Sequence, residues 1–125
     1  MKITTIGIDL AKAVFQVHGV DERGKLLPRK QLKRKDVAGL FANFQPCLIG
    51  MEACGSAHYW GRTLSGLGHT VRLMAPQFVK PYVKTNRNDR TGAEAICETV
   101  GRPNMRFVPI ERAKMQAVLA RHRAR

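Results

Sequence analysis

Acidic residues are scarce in this chain of 125 residues: nine Asp and Glu stand against 22 Lys and Arg, a formal charge of +13. Long apolar runs are missing as well. None reaches the roughly 18 residues that span a bilayer, so no membrane helix is expected. Asp9 and Lys12 interrupt the only stretch that could act as a secretory h-region, and the expected compartment is the cytoplasm. Cysteine is sparse: Cys47, Cys54 and Cys97 are odd in number and show no C-x-x-C spacing, which argues against a disulfide framework. Cys54 and His58 are four apart, but two ligands do not make a zinc site. Reduced, partly buried thiols are expected. No repeat and no low-complexity linker interrupts the chain.

What is present is a 44% apolar fraction, enough for a core, in a length that fits one domain. A domain over 1–110 is expected, with 111–125 starting a helical linker. The cationic surplus points to a polyanionic partner, nucleic acid first. The plainer alternatives are charge kept for solubility, or a basic piece of a larger complex. A membrane surface fits less well, because no helix pairs a basic face with a broad Trp/Phe/Leu face.

The pattern begins with strands. Ile3 to Ile8 is β-branched and ends at Asp9; Val14 to Val20 is a second strand, with Asp21-Glu22-Arg23-Gly24 as a hairpin turn. Lys25 to Leu32 returns as a third, demoted toward an edge by Pro28. A helix capped by Asp36 carries Val37, Leu40, Phe41 and Phe44 at i, i+3, i+4, i+7, until Pro46 stops it. Cys47 to Met51 is a short apolar run of the kind buried on both faces, and it ends at Glu52. Ser56 is placed to cap a second helix with Trp60, Leu64 and Leu67 on one side, closed by Gly68. Thr70 to Met74 is a further strand, stopped by Pro76. Gln77 to Asn88 reads as a basic loop or short irregular helix. Ala93, Ile96, Cys97 and Val100 form another helical stripe. Pro103 and Pro109 bracket an extended piece, and a helix from Glu111 is cut off by the end of the chain. A three-strand meander followed by alternating helices and strands implies a mixed α/β sheet with flanking helices, an order that matches the RNase H-like architecture.

With so few carboxylates, their placement is informative. Asp9 and Glu52 each follow a strand directly, and functional groups gather at the carboxyl ends of strands in open α/β sheets. Asp89 lies four residues before Ala93 and seven before Ile96, on the inward face of the helical stripe. Three converging carboxylates would repel one another and raise each other's pKa. Mg²⁺ resolves that conflict, since it takes hard oxygen ligands from a few carboxylates and a substrate phosphate. The plainer alternatives are a turn cap at Asp9, a helix-dipole charge at Glu52 and an ordinary N-cap at Asp89.

Three segments carry a resemblance: Gly7-Ile8-Asp9-Leu10-Ala11-Lys12; Ile49-Gly50-Met51-Glu52-Ala53-Cys54-Gly55-Ser56-Ala57-His58-Tyr59-Trp60; and Met74-Ala75-Pro76-Gln77-Phe78-Val79-Lys80-Pro81-Tyr82, on to Asn88-Asp89. Together they closely resemble the N-terminal domain of DEDD transposases of the IS-one-ten group of bacterial insertion sequences. The resemblance covers essentially the whole chain. It implies a RuvC-like, RNase H-type domain, DNA recombination with Mg²⁺, a structured guide RNA, and an oligomer in the full-length family. Carried across by position, Asp9, Glu52 and Asp89 match the first three acids, as catalytic residues and metal ligands. The fourth should stand at residue 92, in an Asn-Asp-x-x-Asp pattern, and residue 92 is Gly. Gly supplies no ligand atom and weakens the helix start by roughly 1 kcal/mol relative to Ala. Glu94 is turned well off that face. Family members also continue into a C-terminal domain with a nucleophilic serine, which is absent here; Ser56 and Ser65 have no matching role. The chain resembles a truncated or partly decayed transposase, and it is expected not to transpose alone.

Basic residues cluster in three regions. Arg23 to Lys35 holds Arg23, Lys25, Arg29, Lys30, Lys33, Arg34 and Lys35 without an acid. The segment from Arg72 to Arg90 holds Arg72, Lys80, Lys84, Arg87 and Arg90, with Phe78 and Tyr82 interleaved. Arg112 to Arg125 supplies a third. Such residues give phosphate affinity without sequence information, and Tyr82 suits stacking on an unpaired base. Lys33, Arg34, Lys35, Arg72, Lys80, Tyr82, Lys84 and Arg87 are the chosen contacts; Phe78 and Trp60 are assigned to the core, and His58 and His69 to surface or packing roles. Two rival readings remain: a non-catalytic RNA- or DNA-binding remnant of a transposase, and an actin-like phosphotransfer protein, which lacks its Gly-rich phosphate loop here.

Overall fold

A computed structural model describes residues 3–10, 14–25, 30–83, 92–102 and 105–112. Five strands form one mixed sheet: β1 (Ile3–Asp9), β2 (Val14–Asp21), β3 (Lys30–Lys33), β4 (Leu48–Glu52) and β5 (Thr70–Met74), in the order β3-β2-β1-β4-β5. The first three are antiparallel neighbours, whereas β4 runs parallel to β1 and β5 parallel to β4. A short 3₁₀ turn (Arg34–Asp36) leads into α1 (Val37–Ala42). The remaining helices are α2 (Gly55–Gly66), α3 (Pro76–Val83) and α4 (Gly92–Val100). This is the α/β arrangement expected from the sequence, consistent with an RNase H-like fold.

Local chemistry explains the joints. The Asp21 carboxylate accepts the backbone N–H groups of Arg23 and Lys25, both at 2.9 Å, and Gly24 takes φ +78° to close the turn. Those bonds hold the Asp21 carboxyl below its usual range, the one from Lys25 foremost. At the end of α2, His69 N–H reaches Leu64 O and Gly68 N–H reaches Ser65 O, with Gly68 at φ +99°, a Schellman cap. His69 then ties two loops together. Its Nδ1 accepts from Cys47 N–H at 3.2 Å, which leaves Nε2–H to donate to Phe41 O at 2.7 Å.

Alternation along the strands gives the sheet two packed faces. Ile6, Ile8, Phe15, Val17, Ile49, Met51, Val71 and Leu73 point one way and pack with Phe41, Trp60 and Leu64 of α1 and α2. Met74 points the other way, onto Val79 of α3 and Ala95, Ile96 and Val100 of α4. The extended residues 105–112 cover the β5 edge: Val108 N–H bonds Leu73 O at 2.7 Å, and Ile110 lies over Gly61 of α2.

Several boundaries differ from the sequence reading. Among the described residues the third strand covers Lys30–Lys33, and 26–29 of the expected strand lie outside the described residues. The cap of α2 is Cys54 rather than Ser56, and neither Cys54 nor Asp36 makes a side-chain capping bond. Pro76 does stop β5, but it also opens α3, where a first-turn proline loses no helical bond. The expected helix beyond Glu111 falls on 113–125, outside the described residues. Among the described residues no helix is long and apolar enough to cross a membrane.

Candidate functional site

Two glycines decide where the site forms. Gly7 of β1 and Gly50 of β4 are register partners, side by side at the centre of the sheet. A Cβ on Gly50 would sit 2.6 Å from Val100 Cβ; one on Gly7 would sit 2.8 Å from Cys97 Cα and collide with Ala93 O and Cys97 N. The pair therefore makes a trough that lets α4 lie directly on the strands. Two residues on, past one residue aimed at the opposite face, come Asp9 and Glu52. They share the α4 face with their glycines, and each follows the last register pair, Ile8 with Met51. Two carboxylates thus stand next to each other at the carboxyl ends of adjacent parallel strands.

Their electrostatics reflect that meeting. Both are half-buried, and burial pushes each carboxyl above its ordinary range. Glu52 is raised further by the charge of Asp9 and pulled back by the ammonium of Lys80 on α3. The N-terminus of α4 closes the other side: a Cβ on Gly92 would lie 2.8 Å from Asp9 Cγ and against its Oδ2. Residue 92 is therefore beside Asp9, and as Gly it brings no oxygen. Asp89 lies outside the described residues. Among the described residues no group of three His, Cys, Asp or Glu side chains is placed to hold a metal ion. Asp9 and Glu52 fit a divalent cation as a pair: two hard oxygen donors that repel one another without one.

The basic residues divide between regions. Lys80 is within electrostatic range of Glu52. Arg72, on β5, stacks its guanidinium 5.4 Å from the centre of the Phe107 ring. Lys33, Arg34 and Lys35 are exposed at the end of β3 and in the turn before α1. Lys84, Arg87 and the side chain of Tyr82 lie outside the described residues. Phe78 is 38% exposed rather than part of the core, whereas Trp60 is buried and meets Phe15 edge-to-face at 5.4 Å. His58 is buried too, its Nδ1 accepting Glu111 N–H at 3.0 Å, so it pairs with the backbone and not with the exposed Cys54. Tyr59, which the sequence did not single out, is 53% exposed beside Trp60.

No family model matches the chain. Individual relatives do. It is 59% identical over 125 residues to a Pseudomonas aeruginosa protein described as "Probable family 20 transposase", covering all of this chain and 37% of that protein. It is 46% identical over 123 residues to the transposase for insertion sequence element IS1328 of Yersinia enterocolitica, 98% of this chain and 37% of that one. It is 44% identical over 120 residues to the transposase for insertion sequence element IS1111A of Coxiella burnetii, 94% of this chain and 33% of that one. The chain spans about a third of the length of these relatives, and over that span it is similar to transposases, two of them of insertion sequence elements.

Proposed function

We propose that this chain supplies the metal-binding segment of a transposase that cuts and rejoins DNA, with Asp9 and Glu52 holding Mg²⁺ and Asp89 completing the set. The observation that carries the reading is the neighbouring pair of half-buried carboxylates at the ends of β1 and β4, each two residues past a glycine that seats α4. The bound cation would supply charge neutralisation for a phosphodiester undergoing displacement. The protein's own residues do the rest. The parallel pairing of β1 with β4 sets the two carboxylates side by side. Their partial burial keeps the oxygens poorly hydrated and so available to a cation. Lys80 sits where a DNA phosphate approaching Glu52 would meet a positive charge. Gly92 leaves the site one oxygen short beside Asp9, and we propose that strand cleavage by these 125 residues alone is negligible.

The same glycine favours the second reading, a nucleic-acid-binding remnant that keeps its contacts without chemistry. A structured RNA from the element's own ends is the partner in that case. Calorimetric titration with Mg²⁺ separates the two. The metal-site reading expects binding that Asp9→Ala and Glu52→Ala each abolish. Absence of Mg²⁺ binding, together with salt-sensitive oligonucleotide binding that survives Asp9→Ala, selects the remnant. Robust turnover of a branched DNA junction by the chain with Mg²⁺ would overturn the proposed inactivity.

A further inference from the structure

We propose that a cavity on the opposite face of the sheet captures one unpaired nucleotide, with its base stacked on Tyr59 and its phosphates held by Arg34 and Lys35. The inference rests on reading the chain as a nucleic-acid protein, but not on Asp9 or Glu52. The cavity has a volume of about 520 Å³ and is lined by Arg34, Lys35, Ala38, Tyr59 and Trp60. Small-molecule sites span roughly 300–1,000 Å³, a range that includes a nucleotide. Its walls are the 3₁₀ turn, α1 and α2, and α1 and α2 pack on the Ile6, Ile8 and Met51 side of the sheet. The carboxylates face α4. This is a second site, not an extension of the first.

Two observations define the occupant. The Tyr59 ring meets Trp60 at 5.1 Å and 88°, and Trp60 is itself locked at 86° to Phe15 in the core. An exposed aromatic ring is thereby anchored to the rigid centre of the domain, so less ordering is left to do on binding. Arg34 and Lys35 are exposed, make no ion pair with any described residue, and share the cavity with no acid. A stacking ring and two exposed cations suit a ligand with a π-face and an anion. A nucleotide has both, and base–aromatic stacking with phosphate neutralisation is how single strands are held. The nucleotide could belong to single-stranded DNA or to an unpaired position in RNA.

Trp60 is the only tryptophan of the chain, so its fluorescence reports occupancy without a label. The 125-residue chain would be titrated with pentathymidylate, with pentauridylate, and with an abasic pentamer of equal charge. The base-bearing pentamers should quench Trp60 and bind about tenfold tighter than the abasic one, within the range known for one stacked base. The tighter of the two identifies DNA or RNA as the source. Tyr59→Phe should keep the tenfold preference, while Tyr59→Ala and Tyr59→Leu should lose it; the leucine keeps an apolar side chain against Trp60 in case alanine loosens α2. Arg34→Ala with Lys35→Ala should weaken all three ligands and lower the salt slope by roughly 1.4, at about 0.7 per contact. Equal affinity for abasic and base-bearing pentamers, or a preference that survives both Tyr59→Ala and Tyr59→Leu, would overturn the proposal. The carboxylate reading is scored separately by Mg²⁺ titration of the same samples, so either can fail while the other stands.

Discussion

Gly92→Asp tests the geometry of the carboxylate rim most directly. The new Cβ enters against Asp9 Oδ2 and 2.8 Å from Asp9 Cγ, so the Asp9 side chain must rotate. The added carboxylate then becomes the third negative group beside Asp9 and Glu52. A like-charge pair about 4 Å apart opposes folding by about 4 kcal/mol at an effective dielectric of 20. Because these groups are half-exposed, screening and side-chain relaxation reduce the net cost to about 1–2 kcal/mol. In a domain of this size that is a fall in melting temperature of roughly 5 °C without divalent ions. Mg²⁺ should reverse the sign. The variant has one more hard oxygen donor, so its Mg²⁺ affinity should rise about tenfold, worth about 1.4 kcal/mol. The assay is thermal unfolding of parent, Gly92→Asp, Gly92→Asn and Gly92→Ala, each in EDTA and in Mg²⁺. Alanine isolates the steric term, and asparagine adds bulk without charge. If Gly92→Asp melts like Gly92→Asn in EDTA and gains nothing more from Mg²⁺, residue 92 does not face a carboxylate pair and the reasoning fails.

Three further outcomes follow from the same contacts. Gly7→Ala forces backbone of α4 away from β1 and should cost about 3 kcal/mol or more in denaturant unfolding; Gly50→Ala meets Val100 at its Cβ, 2.6 Å away and fixed by the helix backbone, and should cost about 1–3 kcal/mol, of which Val100→Ala, keeping that Cβ, should restore little. The Asp9 and Glu52 carboxyls have folded pKa values above their ordinary 3.8 and 4.5, so the stability they contribute is present below those values and is lost as pH rises through the raised ones. Asp9→Asn should therefore make the metal-free chain more stable at pH 7, and the gap between variant and parent should shrink as the pH falls into the carboxylate range and Asp9 protonates; a gap that is absent at pH 7, or that widens on acidification, would contradict the burial and charge coupling at the rim. Burial pushes the Cys47 and Cys97 thiols up to about 11, while Cys54 is exposed, so native-state alkylation should add one adduct, at Cys54, in a mass spectrum.

The strands of the sheet were largely legible because β-branched runs ended at sharp breaks: Asp9, Glu52 and Pro76 mark the ends of β1, β4 and β5 within a residue or two. α3 was harder to read. Its interior Pro81 beside Lys80 looks like a loop, yet the apolar pair Val79 and Met74 buries it against α4 and outweighs the local signal. Tyr59 escaped notice because the sequence shows only that it adjoins Trp60; that α1 and the Arg34–Lys35 turn come to meet it depends on tertiary packing. The repeated Gly-x-acid spacing, Gly7 to Asp9 and Gly50 to Glu52, was visible in the sequence. Its meaning was not, since it depends on β1 and β4 pairing in parallel with the glycines opposed.

That pairing links the fold to the chemistry. A parallel neighbour with the same register puts glycine beside glycine and acid beside acid, so a single geometric choice both lowers α4 onto the sheet and brings two charges together. The closeness of α4 is also what carries residue 92 to Asp9, and it would not do so if either glycine bore a side chain. Changes at Gly7 should therefore alter stability and metal affinity together, although Gly7 has no side chain to offer a ligand. Changes at Tyr59, across the sheet and packed on Trp60, should leave Mg²⁺ affinity where it was. If Gly7→Ala destabilises the chain yet leaves Mg²⁺ affinity intact, α4 takes no part in holding the site, and the rim must be formed by the strand ends alone.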